Sequence, residues 1–326
     1  VSIKTGVVKI RVLSAVTVAR MIAADPKPPA VLIVNPFAGR LTDPDREIVI
    51  AALKTRFAIE GFATTGRGNG IDVARKAADG GVPLVIAFGG DGHVNEVANG
   101  VAGTDSSLAI IPGGTMNVFA RSLGIPIDAM SAVNQLHARL DSAPRRVTLG
   151  RMDDRYFTFS AGCGFDAEAA ELVERDYPKK RRFGEIFFYW SAFRVLTGSY
   201  RHRQPSMTLS GPFGRIPVAM AIACNTGPYA YLGKRVINLA PQVELDAGLD
   251  VFALRTMRIE AFPAYAWRCL VSGDLVHHAD AFYSHDLGVF DLESDKPFQR
   301  HVDGEPIGEA TRASFRIEPD VLKVQV

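Results

Sequence analysis

Two segments of this chain share one build: a short apolar run, a glycine-rich turn, then a helical pattern. That pairing constrains the fold more than any other feature. In the first, residues 84–88 lead into Gly89-Gly90-Asp91-Gly92 and a helical pattern through Asn99. In the second, residues 108–111 lead into Pro112-Gly113-Gly114-Thr115 and a helical pattern to Leu123. Short, wholly apolar runs between helices read as strands of a parallel sheet covered on both faces. Residues 31–35 supply another such strand, ahead of a loop over 36–40. Residues 43–60 read as a helix with Asp43 at its N-cap and Pro44 at its first position. A short strand over 62–65 and a helix over 71–78 complete the alternation.

From about Arg145 the pattern changes. Residues 147–152 and 156–161 read as a hairpin around Asp153-Asp154, and short strands follow over 206–209, 218–224, 249–254, 287–292 and 298–302. Such strands, with turn residues between them, mark an antiparallel sandwich or barrel. Helical segments interrupt them over 167–175, 184–196 and 263–270. The expected organisation is an N-terminal extension over 1–30, an α/β domain with a parallel sheet over 31–145, and a β-rich sandwich domain over 146–310. Residues 311–326 form a C-terminal segment free to return to the first domain.

The 326 residues suffice for two such domains. Net charge is +2, so nothing calls for nucleic acid as a partner. No apolar run approaches the ~20 residues that span a bilayer. The apolar stretch over 12–19 is broken by Arg20 and reads as an extra strand or helix rather than a secretory signal. Cys163, Cys224 and Cys269 lie far apart without metal or redox spacing, which fits a reducing cytoplasm. Lys179, Lys180, Arg181 and Arg182 run together ahead of Phe183, Phe187, Phe188, Tyr189 and Trp190. This is either a surface for anionic headgroups, making the protein peripheral to the membrane, or a solvated turn leading into a core helix.

The chemistry is expected at the glycine turns. Glycine brings backbone N–H groups close to a ligand, and a helix N-terminus adds unpaired donors and partial positive charge, which suits phosphate. Asp91 inside such a turn would repel phosphates unless Mg²⁺ bridges them or the side chain contacts another group. Its alternative is a helix cap. Asn95 and Glu96, one turn on, support the same site or are ordinary helix positions. No GxxxxGK[ST] segment is present, and Gly66-Arg67-Gly68-Asn69-Gly70 lacks the dinucleotide spacing.

The ordered set of motifs resembles the diacylglycerol kinase catalytic-domain family, which includes soluble bacterial lipid kinases and the sphingosine and ceramide kinases. Five matches carry the resemblance: Asn35-Pro36-Phe37-Ala38-Gly39; Gly89 to Val97, similar to GGDGT-x-NEV; Pro112 to Arg121, similar to P-x-GT-x-N-x-FAR; Asn225 with Ala240-Pro241 and Leu249-Asp250; and Asp303-Gly304-Glu305. It implies a first domain like those of NAD kinase and phosphofructokinase, and transfer of the γ-phosphoryl group of ATP, with Mg²⁺, to a lipid hydroxyl of the diacylglycerol or sphingoid type. The same resemblance implies nucleotide contacts from Asn35, Pro36, Gly39, Thr64, Thr65, Gly89, Gly90, Gly92, His93, Asn95, Glu96, Gly114, Thr115 and Asn117. Glu305 is implied as the base, with Asp303 in the same acidic group and Asp91 as both the competing base and the Mg²⁺ contact. Asp166 matches an acidic position facing the acceptor. Oligomeric state stays open, a homodimer included.

Three positions depart from the family. His93 replaces the signature threonine and is expected to put a bulky ring near the phosphates. Val118 replaces the usual aspartate. Ala247, in Leu245-Asp246-Ala247-Gly248, replaces the second aspartate of a structural Mg²⁺ loop and puts that site in doubt. Two other readings remain: a kinase of the NAD-kinase type acting on a soluble substrate, and a nucleotide- or lipid-binding protein that has lost catalysis.

Overall fold

The computed structural model describes residues 27–36, 42–175, 207–232 and 235–326. Several expectations fall outside them: the apolar stretch over 12–19, Gly39 with its neighbours 37–41, the basic run at Lys179 to Arg182, and the helix over 184–196. The chain divides into two compact units, one of residues 1–147 with 320–326, the other of residues 148–319.

The first unit is an α/β layer structure. Its strands are β1 (Pro29–Val34), β2 (Ala58–Ala63), β3 (Leu84–Gly89) and β4 (Ser107–Pro112), parallel and in the order β2-β1-β3-β4. Strands β3 and β4 are buried at every position, as their unbroken apolar sequences require when helices cover both faces. The helices are α1 (Asp43–Arg56), α2 (Asn69–Asp79), α3 (Asp91–Val101), α4 (Val118–Ser122) and α5 (Ala129–Ala138). The chain returns at the end, where Lys323 and Val324 pair in parallel with Ser107 and Leu108 of β4.

The first helix differs from the sequence reading at both ends, and the strand expected over 62–65 is β2 at Ala58–Ala63. Helix α1 is capped by Thr42, whose hydroxyl and the Asp45 carboxylate form a capping box, and Asp43 lies inside the helix. The helix stops at Arg56 rather than Glu60, because Ala58, Ile59 and Glu60 pair with Pro29, Ala30 and Val31. Ladder bonds to a buried strand outweigh the weak propensity of one more helical turn. Helix α5 has no counterpart in the reading.

The second unit is antiparallel. It contains β5 (Arg145–Met152), whose residues 145–147 belong to the first unit, β6 (Arg155–Phe157), β7 (Ser160–Gly164), α6 (Phe165–Arg175), β8 (Met207–Gly211), β9 (Gly214–Val218), β10 (Met220–Cys224), β11 (Ala230–Leu232), β12 (Arg235–Ile237), β13 (Leu249–Leu254), α7 (Phe262–Trp267), β14 (Ala281–Leu287), β15 (Val289–Val302) and β16 (Glu305–Val324), whose last residues also belong to the first unit. The ladder runs β14-β13-β10-β7-β15-β16. The two strands expected over 287–292 and 298–302 are mostly one, β15, with a register shift between Glu293 and Phe298. That irregularity lets β15 serve two partners, β8 at Asp291–Ser294 and β7 at Arg300–Val302. A core including Phe157, Leu209, Val251, Phe290 and Phe315 fills this unit, with Phe290 and Phe315 stacked 4.8 Å apart.

Candidate active site

In the first unit all four strands point the same way, so their carboxyl ends open on one edge. The segments that follow them hold the predicted nucleotide residues: Asn35 and Pro36 after β1, Thr64 and Thr65 after β2, Gly90, Asp91 and Gly92 after β3, and Gly114, Thr115 and Asn117 after β4. Gly89 is the last residue of β3. The strand order reverses between β1 and β3, and such a switch point is where open α/β sheets take ligands.

The two glycine turns approach each other closely. A Cβ on Gly114 would lie 2.6 Å from Cα of Gly90, and one on Gly90 would lie 3.2 Å from Cα of Gly114. Asn117 fixes the second turn from within: its Oδ1 accepts from Gly114 N–H (3.0 Å) and its Nδ2 donates to Gly114 O (2.8 Å). It does so from a left-handed backbone (φ 48°), which asparagine tolerates. Helix α3 starts at Asp91 with Gly90 as its N-cap, a residue with no side chain to cap it. Asp91 is partly exposed, and its Oδ1 accepts from Phe119 N–H at 3.4 Å, in the first turn of α4. Thr115 is exposed, as is Thr65, whose N–H donates to Asn69 Oδ1.

Four expected ligand contacts turn inward instead. His93 is buried beneath Gly89, and its Nε2 bonds Ile33 O at 2.9 Å; since a carbonyl only accepts, Nε2 carries the proton. The ring is therefore part of the interior and leaves the turn clear. Glu96 accepts from Gly68 N–H (2.5 Å) and Gly70 N–H (2.9 Å), capping the start of α2. The buried Asn95 accepts from Asn99 Nδ2 within the same helix. Thr64 is buried against β1, its hydroxyl bonding Val34 O.

Burial holds the His93 imidazole below its usual value of 6.5. A depressed histidine stabilises the fold while neutral, so its contribution is complete above pH 6.5 and is lost as pH falls, because the unfolded chain takes the proton first. Urea titrations at pH 7.5 and 5.5 should show stability falling, with a smaller fall in His93→Gln, whose amide donates but does not titrate.

In the second unit, Asp303 and Gly304 form the two-residue turn between β15 and β16, both left-handed (φ 48° and 77°), with Val302 paired to Glu305 across it. Asp303 is buried. One oxygen accepts from Thr158 N–H and Thr158 Oγ1–H (both 2.7 Å), the other from Phe159 N–H (2.9 Å) and Ser160 N–H (3.0 Å). Burial pushes its carboxyl up from the usual range, while these four donors oppose that by favouring the anion. Asp303 thus serves as a clamp that breaks the strand reading over 156–161 at Thr158 and Phe159; the sequence placed it instead among the reacting carboxylates. Glu305 is partly exposed.

Asp166, on the first turn of α6, is also buried. Its Oδ1 accepts from Tyr229 O–H (2.7 Å) and its Oδ2 bonds His301 Nε2. Burial raises the Tyr229 hydroxyl well above its ordinary value, so it stays a donor. Sequence reasoning missed His301; its only signal was alternation with Asp303 along one strand. Ser160 was missed too. Its Oγ is buried without a partner among the described residues, and strand alternation puts it on the same face as Gly162, where a Cβ would meet Asp166 and His301.

The loop for which the resemblance implies a structural Mg²⁺ is held by other contacts. Asp246 accepts from Thr148 N–H (2.8 Å), Gly248 N–H donates to Asp286 Oδ1 (2.9 Å), and Ala247 offers no side-chain donor atom. Among the described residues no group of three or more His, Cys, Asp or Glu is placed to hold a metal ion.

Comparison with known proteins agrees with this architecture. The family model for the diacylglycerol kinase catalytic domain matches residues 29–152. A diacylglycerol kinase of Bacillus subtilis is 30% identical over 84% of this chain and 88% of its own. The "probable lipid kinase YegS-like" of Chromohalobacter salexigens is 30% identical over 73% of this chain and 75% of its own. The crystal structure of a diacylglycerol kinase from Bacillus anthracis superposes with a TM-score of 0.67 at 23% identity, covering 92% of this chain and 98% of that one. Fold and relatives together define a two-domain lipid kinase. The chain belongs to the diacylglycerol kinase family.

Proposed function

We propose that this protein transfers the γ-phosphoryl group of ATP to the hydroxyl of a diacylglycerol-like or sphingoid-like lipid. The observation that carries the nucleotide half is the convergence of Gly90 and Gly114 at the carboxyl edge of the parallel sheet, beside the start of helix α3. Backbone N–H groups of the two turns hold the phosphates there, with Asn35, Thr65 and Thr115 around them. Asp91 would hold Mg²⁺ together with the phosphates, the usual mode for a cation that takes one or two carboxylates plus substrate oxygens. When bound, that ion neutralises charge on the transferring group.

Glu305 accepts the proton of the acceptor hydroxyl, help typically worth roughly 10²–10⁴-fold. Its position supports this role over Asp303, whose oxygens are already held by four donors. Asp166 with Ser160 Oγ offers polar contacts for the acceptor head. The inward ring of His93 speaks against lost catalysis, since it does not intrude on the phosphate turns. No helix among the described residues is long and apolar enough to cross a membrane. The lipid is then met at the bilayer surface by peripheral contact, on the cytoplasmic side where ATP is found.

The test is purified protein with ATP labelled at the γ position, offered a total lipid extract or NAD. Label in an organic-extractable phospholipid is the expected result. Label in NADP would favour the soluble-substrate reading, and nucleotide binding without any transfer would favour a degenerate binder.

A further inference from the structure

The structure assigns His301 a positioning role: by bonding the Gly304 amide on one side and Asp166 on the other, it sets the place of Glu305. This rests on Glu305 being the proton acceptor. The ring is buried, 2% exposed, on the strand that leads into the Asp303-Gly304 turn. Its Nδ1 receives the Gly304 N–H at 3.3 Å. A backbone amide only donates, so Nδ1 carries no proton, and Nε2–H is left to donate to Asp166 Oδ2. The other Asp166 oxygen is held by Tyr229 O–H. One imidazole therefore ties the turn to helix α6 and, through it, to Tyr229.

The space for this link is made by glycine. Gly162 lies opposite His301 in the β7–β15 register, and a Cβ there would fall 2.2 Å from Nε2 and 2.8 Å from Asp166 Oδ2. The turn is thus held twice: Asp303 fastens it to residues 158–160, and His301 fastens it to Asp166. Asp303 fixes the turn's first residue. His301 acts on its second, next to Glu305, where a small rotation changes the direction of the carboxylate. A misplacement near 1 Å is enough to cost on the order of 10²-fold in rate.

Three variants separate the bonds. His301→Asn keeps an acceptor within reach of Gly304 N–H but falls short of Asp166. His301→Gln reaches Asp166 with its amide but leaves the turn. His301→Ala loses both. Single-turnover transfer from ATP to the extract lipid should fall ~10- to 100-fold in His301→Ala and less in each conservative variant, with nucleotide affinity unchanged. The decisive arm repeats His301→Ala in a Glu305→Gln background, where the positioning role predicts no further loss. An equal loss in both backgrounds, or unchanged turnover with lowered stability alone, would overturn the assignment. Full activity of Glu305→Gln by itself would instead remove the reading beneath it.

Discussion

Asp303→Ala should lower the stability of the protein by roughly 3–5 kcal/mol, the scale seen when one partner of a buried charged network is deleted. Three backbone N–H groups and the Thr158 hydroxyl lose their acceptor together, in a place that water does not reach freely. Each buried donor left unsatisfied costs about 1–3 kcal/mol before relaxation. Alanine also tolerates the left-handed backbone of position 303 less well than aspartate. Asp303→Asn should fall between, since it keeps the backbone preference and one acceptor oxygen. Urea denaturation reads the effect as a lower midpoint with unchanged slope. A loss under about 1 kcal/mol would mean that the clamp holds little.

Glu305→Gln should behave in the opposite way, with transfer reduced roughly 10²–10⁴-fold and stability nearly untouched. Glu305 is partly exposed at the start of β16, so an isosteric amide disturbs little packing. Nucleotide affinity should also be retained. Asp91→Asn is the natural companion, because its amide oxygen still accepts from Phe119 N–H and the turn keeps its shape. A rate loss in Asp91→Asn that comes with weaker Mg²⁺-nucleotide binding marks a phosphate-side role. If Glu305→Gln keeps its rate while Asp91→Asn loses it with nucleotide affinity intact, the base is Asp91.

How far these residues were legible in the sequence depended on how local their signals were. The glycine turns after β3 and β4 stood out because each follows a run of apolar residues too short for a helix. Helix α3 was harder. From His93 to Val101 every residue is buried, so no polar stripe told which side chains face a ligand. The family resemblance points His93, Asn95 and Glu96 toward the phosphates, while the fold uses them for Ile33 O, an Asn99 bond and the cap of α2.

The acidic turn shows the same limit. Asp303-Gly304 announces a hairpin by composition alone. What its carboxylate does depends on residues 158–160, more than 140 positions earlier in the chain, and no spacing rule reaches that far. His301 sits two residues away from it and looks like a lone histidine until Asp166 and Gly162 are seen beside it. Motif resemblance found the carboxylates; only the folded structure shows that Asp303 clamps residues 158–160.

Amide hydrogen exchange with and without Mg²⁺-ATP tests the phosphate cradle directly. Slowed exchange at Gly90, Gly92 and Thr115, with residues 158–160 unchanged, is the predicted result. Nucleotide that binds while those three amides exchange as before would place the phosphates elsewhere and contradict the account.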